Sequence, residues 1–325
     1  MNEQDTSVLE QYDLEVFRTC RGRGAILCET SRGLKLLKEC RASAKRVEAE
    51  AELLDRLGGE SGILADRYVR NRENGVISTE EDGTSYILKD WYEGRECSAR
   101  EEEEMLQAVR SLAGLHRALR GLALEEEKLR EFGQTPSLKI VLEKHNRELK
   151  RARNYIRNTV QKQEFELCVI RSFERFYSQA QKALFLLAEQ AGEPARQLCH
   201  GDFTQHHVLM GRFGAAIVDF SRATMGVQVS DLYLFMRKML EKNNWNLPLG
   251  IAMKEAYEEI LPLSGPEKKY LYILFLYPEK YWKQINYYYN ANKAWIPGRN
   301  IGKLTVLEAQ FEAREHFLKR LEREF

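Results

Sequence analysis

The stretch 198–222, LCHGDFTQHHVLMGRFGAAIVDFSR, constrains this chain more than any other. Leu198 and Cys199 make an apolar approach to His200-Gly201-Asp202, and five residues of loop lead on to Val208-Leu209-Met210. A turn over 211–214 follows, and then a buried apolar run over 215–218 delivers Asp219 and Phe220. The pattern reads as one hairpin. It sets two carboxylates, Asp202 and Asp219, at the ends of neighbouring short apolar elements, so that both can point into one cleft.

Phosphoryl transfer of the kinase type needs such a pair. One Asp orients or deprotonates the attacking hydroxyl, and the other, next to a Phe, holds the metal that bridges the nucleotide phosphates. In the protein-kinase pattern an Asn follows the catalytic Asp five residues later as the second metal ligand. Here that position holds His207.

Residues 12–39 read as three short strands with breaks at 21–24 and 31–33. Gly22 and Gly24 make a flexible turn which in a kinase lies over the phosphates; a plain hairpin turn reads equally well, because the full G-x-G-x-x-G is absent. Lys38 closes the third strand and is placed to reach nucleotide phosphates. Lys35 competes, and a solvated strand-end lysine is the plain alternative; a strand of usual length over 33–38 favours Lys38. Ser43 begins a helix over 43–57 with apolar positions at Val47, Ala51 and Leu54. Glu48 and Glu52 on it are candidates for the acidic partner of Lys38, or simply solvated. Strands near 75–79 and 84–89 follow, joined by a turn that carries the hairpin signal Asp82-Gly83. The second strand runs into Lys89-Asp90-Trp91-Tyr92-Glu93-Gly94, a hinge-like segment whose backbone meets an adenine edge, with Lys89 and Trp91 beside it.

From residue 100 onward the pattern is helical, apart from the hairpin. His116, in Leu115-His116, reads as a packed or capping histidine rather than a ligand. Between 144 and 162 seven Lys and Arg face Glu148 alone; the run is either a docking surface for an anionic partner or a solvated face balanced by acidic neighbours. Ser230-Asp231 begins another helix, through Glu241. Aromatics gather at 270–277, at 281–282, at 287–289 and in Trp295-Ile296-Pro297, and read as core more readily than as a sugar-stacking surface. A final amphipathic helix is expected over 303–325.

Composition excludes several classes. A net charge of +1 gives no global pull toward nucleic acid or anionic membrane, and no RRM, KH or helix-turn-helix signature occurs. No apolar run approaches the roughly 20 residues that span a bilayer. The acidic N-terminus MNEQDTSVLEQYDLE is no secretory signal. Six cysteines without CxxC spacing read as buried free thiols in a reducing compartment, hence cytoplasmic synthesis.

Lys38, the LAGLH segment at 112–116, HGD at 200–202 and IVDF at 217–220 together resemble the aminoglycoside phosphotransferase and choline kinase group of kinase-like folds. Within it the chain is most similar to the CotS-type spore coat proteins of endospore-forming bacteria, on KDWYEGRE at 89–96, RKMLEKNNW at 237–245 and YPEKYWKQINYYYNANKAWI at 277–296. The resemblance covers nearly the whole chain. It implies an α+β, bilobal protein-kinase-like fold: a small β-rich N-lobe over 1–90, and a larger, mostly helical C-lobe over 91–325 that carries the catalytic loop. It also implies ATP and magnesium as cofactors. Asp202 matches the catalytic base and His200 the residue that orients the catalytic loop. Asp219 matches the metal ligand, Lys38 the phosphate-binding lysine, and Asp231 a buried carboxylate that braces the loop. His207 is the departure. Magnesium prefers oxygen ligands, whereas neutral imidazole suits softer ions. Either the metal relies on Asp219 and water, or the second ion is lost, or a softer ion such as manganese binds. Two functions follow from the resemblance: phosphorylation of a hydroxyl on a small molecule, a sugar or amino sugar among the candidates, or a kinase-shaped assembly protein of the spore coat with weak or no catalysis. Other coat proteins are the partners the second implies.

Overall fold

The computed structural model describes residues 7–22, 24–190, 192–212, 214–290 and 298–324. Three strands open the chain, β1 (Val16–Gly22), β2 (Ala25–Thr30) and β3 (Gly33–Glu39), and helix α1 (Ala44–Glu60) follows. The Ser43 hydroxyl caps α1 by accepting from Arg46 N, which satisfies one of the amides that a helix start leaves bare. The next strands are β4 (Ser78–Thr79), β5 (Ser85–Asp90) and β6 (Arg95–Glu96). Gly83, at φ 88°, and the Asp82 side chain, which accepts from Thr84 N, close the β4–β5 turn as the Asp-Gly pair predicts. Helices α2 (Glu102–Gly121), α3 (Glu126–Glu131), α4 (Leu138–Asn158) and α5 (Glu164–Ala188) come next. The hairpin region gives β7 (Gln197–Cys199), β8 (Val208–Gly211), β9 (Gly214–Ile217) and β10 (Thr224–Gly226). Six helices complete the chain: α6 (Val229–Lys242), α7 (Leu247–Glu258), α8 (Gly265–Leu276), α9 (Glu279–Asn290), α10 (Gly298–Ala309) and α11 (Phe311–Glu322).

The first five strands form an antiparallel sheet in the order β1-β2-β3-β5-β4. Its register sets Lys38 opposite Ile87 and Leu36 opposite Lys89. Because side chains alternate across a strand, Leu36, Lys38, Ile87 and Lys89 share one face. Leu37 and Leu88 point the other way and pack with Cys28, Val8, Leu9 and Tyr12. On the cleft side Val47 and Ala51 of α1 pack with Ile87 and Val76. A second sheet, β6-β8-β9, carries the hairpin, and a two-stranded ladder joins β7 to β10.

Two compact units emerge, the first formed by 1–134, 197–231 and 256–261, the second by 135–196, 232–255 and 262–325. The β-sheet and the HGD–IVDF hairpin belong to the same unit. The second unit is a helical body around the α4–α5 pair, and most of its aromatics are core, although Tyr155, Phe185 and Tyr287 are exposed. Phe176 stacks on Tyr281 with ring centroids 4.3 Å apart, and Phe165 on Tyr288 at 4.7 Å. Tyr270, Tyr272 and Tyr277 are buried as well. Residues 295–297, expected to extend this cluster, lie outside the described residues.

Several elements differ from expectation. The final helix is two helices, broken at Gln310, whose side-chain amide donates to Glu241 O. No glycine or proline marks that break, because a tertiary hydrogen bond accompanies it. Strands β6 and β10 were too short to leave a period-two pattern, and the strand near 75–79 shrinks to Ser78–Thr79. The six cysteines carry free thiols, yet Cys20 is exposed and Cys40 half-buried, so the expectation of buried thiols holds only for Cys28, Cys97, Cys168 and Cys199. In the basic run, Arg153 pairs with Glu174, while Arg147, Arg151 and Arg157 are exposed. Among the described residues no helix is long and apolar enough to cross a membrane.

Candidate active site

The loop after β7 is built to hold its backbone still. Gly201 has φ 81°, and a Cβ there would lie 2.0 Å from Arg222 O, so the position excludes any side chain. Asp231, at the start of α6, accepts from His200 N at 2.7 Å with one oxygen and from Gly201 N at 2.9 Å with the other. His116 Nε2 lies 3.2 Å from the same carboxylate, and its Nδ1 lies 2.7 Å from the Tyr257 hydroxyl. His116 is thus a fully buried bracing residue.

His200 ties the two halves of the hairpin together. Its Nε2 donates to Val218 O at 3.1 Å, so its Nδ1 is the bare nitrogen, and that accepts from Asp202 N at 3.3 Å. Burial pushes its pKa below the ordinary value and keeps the ring neutral. It therefore sets the Asp202 main chain against the strand that delivers Asp219. The Asp202 carboxylate is 41% exposed and sits 4.0 Å from His207 Nδ1. A solvent-reachable carboxylate on a fixed backbone can accept a hydroxyl proton or orient the hydroxyl.

Asp219 occupies the left-handed region at φ 62° and ψ 69°, a conformation costly for a non-glycine residue. Its backbone N donates to the buried carboxylate of Asp66 at 3.0 Å, which helps hold it there. Burial acts to raise the Asp219 pKa, but the Ser221 hydroxyl at 2.6 Å, Lys38 and His207 outweigh it and hold the value at about 2. The carboxylate is ionised at any physiological pH, as a metal ligand must be.

His207 faces both aspartates. Its Nδ1 lies 2.7 Å from Asp202 O, and its Nε2 lies 3.9 Å from the Asp219 carboxylate. A backbone carbonyl only accepts, so Nδ1 carries a proton, and in the neutral ring the lone pair is on Nε2, on the side of Asp219. An Asn in this place would offer the same pair of functions, an N–H to the Asp202 carbonyl and a lone pair toward the metal. The imidazole keeps that pattern and replaces the oxygen with a nitrogen. Asp219 and His207 fit a divalent cation. No group of three or more His, Cys, Asp or Glu side chains that could hold a metal occurs among the described residues, so the rest of an ion's shell must come from elsewhere.

A cavity of about 900 Å³ opens over these groups, wholly within the first unit. That is the size of a nucleotide-binding cleft. Leu27, Leu36, Trp91, Leu209 and Val218 give it apolar walls for a flat base, and Gly22 and Gly24 of the β1–β2 turn line its rim. Gly24 takes φ 77°, a conformation that glycine allows without strain. Lys38 reaches into the cavity and makes a 3.4 Å ion pair with Asp219.

The acid that Lys38 meets is Asp219, not the glutamate of α1 expected from the sequence. Neither Glu48 nor Glu52 fills that role: Glu52 pairs with Arg56 and Lys128, and Glu48 lies outside the cavity lining. The inward-facing acid of α1 is Glu50, two residues further round the helix from Glu48. It pairs with Lys89, 3.0 Å away, and Lys89 also meets Asp66 at 2.9 Å and lies 4.5 Å over the Tyr68 ring. Lys89 is therefore a buried back-wall cation and no solvent-facing hinge residue. Burial opposes its charge, but Asp66 and Glu50 outweigh that and raise its pKa. Burial pushes the Asp66 carboxyl up to about 6, and Asp66 Oδ1, buried among the cavity-lining groups, has no hydrogen-bond partner. Sequence reasoning missed Glu50 and Asp66. An acid directly after the apolar Ile63-Leu64-Ala65 was the available signal for Asp66.

A family model described as "Phosphotransferase enzyme family" matches residues 25–263. Spore coat protein S of Bacillus subtilis (strain 168) is 23% identical over 316 residues, which cover 92% of this chain and 87% of that protein. Among solved structures, an aminoglycoside phosphotransferase from Alicyclobacillus acidocaldarius superposes with a TM-score of 0.87 at 17% identity, over 98% of this chain and 95% of that one. The AMP-bound spectinomycin phosphotransferase APH(9)-Ia gives a TM-score of 0.62 at 14% identity, over 97% and 94%. Amicoumacin kinase hAmiN, in complex with AMP-PNP, Ca2+ and Ami, gives 0.58 at 10% identity, over 97% and 94%. The likeness establishes the kinase-like fold, an antiparallel sheet first and a mostly helical remainder after it.

Proposed function

The chain belongs to the phosphotransferase enzyme family, and from that premise we propose that it transfers the γ-phosphate of ATP to a hydroxyl group of a small molecule, with a divalent cation such as magnesium as cofactor. The observation that carries this reading is the convergence of Asp202, His207, Asp219 and Lys38, with His207, Asp219 and Lys38 lining one nucleotide-sized cavity. In the reaction the acceptor oxygen bonds to the γ-phosphorus, the bond from that phosphorus to the β–γ bridging oxygen breaks, and ADP leaves. Asp202 accepts or directs the hydroxyl proton, while His200 keeps its backbone in place. Lys38, now paired with Asp219, exchanges that partner for phosphate oxygens. Trp91, Leu36 and Leu209 enclose the base, and Gly22 and Gly24 cover the phosphates. Asp219 and His207 hold the cation, which when bound neutralises charge on the phosphates.

The similarity to spore coat protein S favours a second reading, in which the fold serves the spore coat and this protein is deposited there among other coat proteins. The two readings part in one experiment. Purified protein is incubated with γ-labelled ATP, a divalent cation and a panel of amino sugars, sugars and amino alcohols, beside Asp202→Asn and Asp219→Ala. Label transferred by the wild type and lost in both variants supports the enzyme. No transfer to any acceptor, together with no melting-temperature rise at millimolar ATP, removes it and leaves the assembly role.

A further inference from the structure

We propose that the cation of this cleft is a first-row transition dication of the manganese class, selected over magnesium by one imidazole nitrogen, that of His207. The inference rests on the phosphotransferase reading and names the ion which that reading leaves open.

His207 Nδ1–H is committed to Asp202 O at 2.7 Å. A metal-binding histidine that donates its other ring N–H to a carbonyl has its tautomer and orientation fixed, and its remaining nitrogen is the more basic for it. The main chain that carries the ring is fixed as well, and His200 lies against the ring. His207 N donates to Thr204 O at 2.9 Å, Val218 N donates to His207 O at 3.0 Å, and the ring lies nearly parallel to His200, with centroids 5.8 Å apart. Nε2 is left facing Asp219 Oδ2 across 3.9 Å. That gap is too long for a hydrogen bond, and two ligands on one small ion stand roughly 3–4 Å apart.

The neighbouring imidazoles cannot substitute for it. His206 is tied to Glu96 at 2.5 Å, and the bare nitrogen of His200 already accepts from Asp202 N. His207 is the cavity-lining imidazole whose open nitrogen faces Asp219.

The donor set decides the ion. Magnesium demands oxygen ligands and gives up water reluctantly, whereas an imidazole nitrogen suits the first-row transition dications, of which manganese, the hardest, also takes the carboxylate and phosphate oxygens that complete this shell. With Asp219 and His207 as the protein ligands among the described residues, the ion needs phosphate oxygens to complete its shell. It therefore arrives with the nucleotide, and metal binding without nucleotide is weak.

The test uses the whole chain and a non-hydrolysable ATP analogue. Melting temperature is followed against MnCl2 and against MgCl2, for the wild type and for His207→Asn. The expected result is a half-saturating manganese concentration below that of magnesium, with the manganese-to-magnesium preference falling roughly tenfold in His207→Asn, as expected from exchanging one ligand of the ion. Pulsed electron paramagnetic resonance of the manganese complex supplies a readout independent of stability. Imidazole nitrogen modulation is expected in the wild type and its loss in His207→Asn; should that variant fail to fold, the wild-type spectrum decides alone. An equal preference in the two proteins, or a manganese spectrum without nitrogen coupling, overturns the assignment and leaves the phosphotransferase reading standing. No nucleotide-dependent shift with either metal overturns both.

Discussion

Two buried cations, Lys89 in the first unit and Arg314 in the second, are neutralised differently. Lys89, in the first unit, lies between two carboxylates at the edge of a cavity. Arg314, in the second, meets neutral oxygens: Gln179 Oε1 at 2.5 Å, and Phe275 O at 2.6 Å and Leu276 O at 3.0 Å, which are carbonyls at the end of α8. Burial lowers the Arg314 pKa to about 10, still charged at neutrality. One cation closes a helix end that would otherwise be bare. The other holds Asp66, and Asp66 holds the main chain of Asp219, so a buried ion pair reaches the proposed metal ligand in two steps. The surface charge divides in the same way. The first unit has an acidic excess of about ten charges and the second a basic excess of about eleven, so the near-neutral whole chain hides two opposed fields.

The largest effect expected is that of Lys89→Met, which strands two buried carboxylates and lowers stability by about 3–5 kcal/mol. Urea unfolding measures it, and adding Glu50→Gln and Asp66→Asn restores most of the loss. A single variant as stable as the wild type breaks the contrast between the units. Arg314→Met leaves the α8 carbonyls unpaired at a cost of about 2–3 kcal/mol. Its nucleotide-induced rise in melting temperature stays intact, because no atom of Arg314 lines the cavity; a lost rise would show that the helical unit also shapes the site.

Lys38→Met behaves in the opposite sense. Its pair with Asp219 is 40% and 33% exposed, so stability falls by less than about 1 kcal/mol, while the rise with nucleotide disappears. Retention of that rise would remove Lys38 from the phosphate site. The smallest effect is in acid. The Asp219 pKa is depressed from 3.8 to about 2, so its contribution is complete above pH 4 and is lost as pH falls toward 2. Solvent screening leaves at most about 1 kcal/mol of it. Asp219→Asn removes that part of the acid limb, which thermal melts between pH 4 and 2 detect as a shallower fall.

By itself the sequence determined the β-strand opening, the helix begun by Ser43, the Asp82-Gly83 turn and the hairpin with its two aspartates. Each is written in contiguous residues, where alternation, capping and turn chemistry act over a few positions. It also placed His207 beside the aspartates, because five residues of loop separate Asp202 from the strand that follows. What tertiary structure alone decided are the pairings across distance. Lys38 finds Asp219 far along the chain, Glu50 finds Lys89, and Asp66 finds the Asp219 amide. A charged residue on a helix face reads the same whether solvated or paired, and Glu48, Glu50 and Glu52 could be told apart only by which side of α1 met the sheet. The tautomer of His207 was decided last, by a carbonyl that has no proton to give.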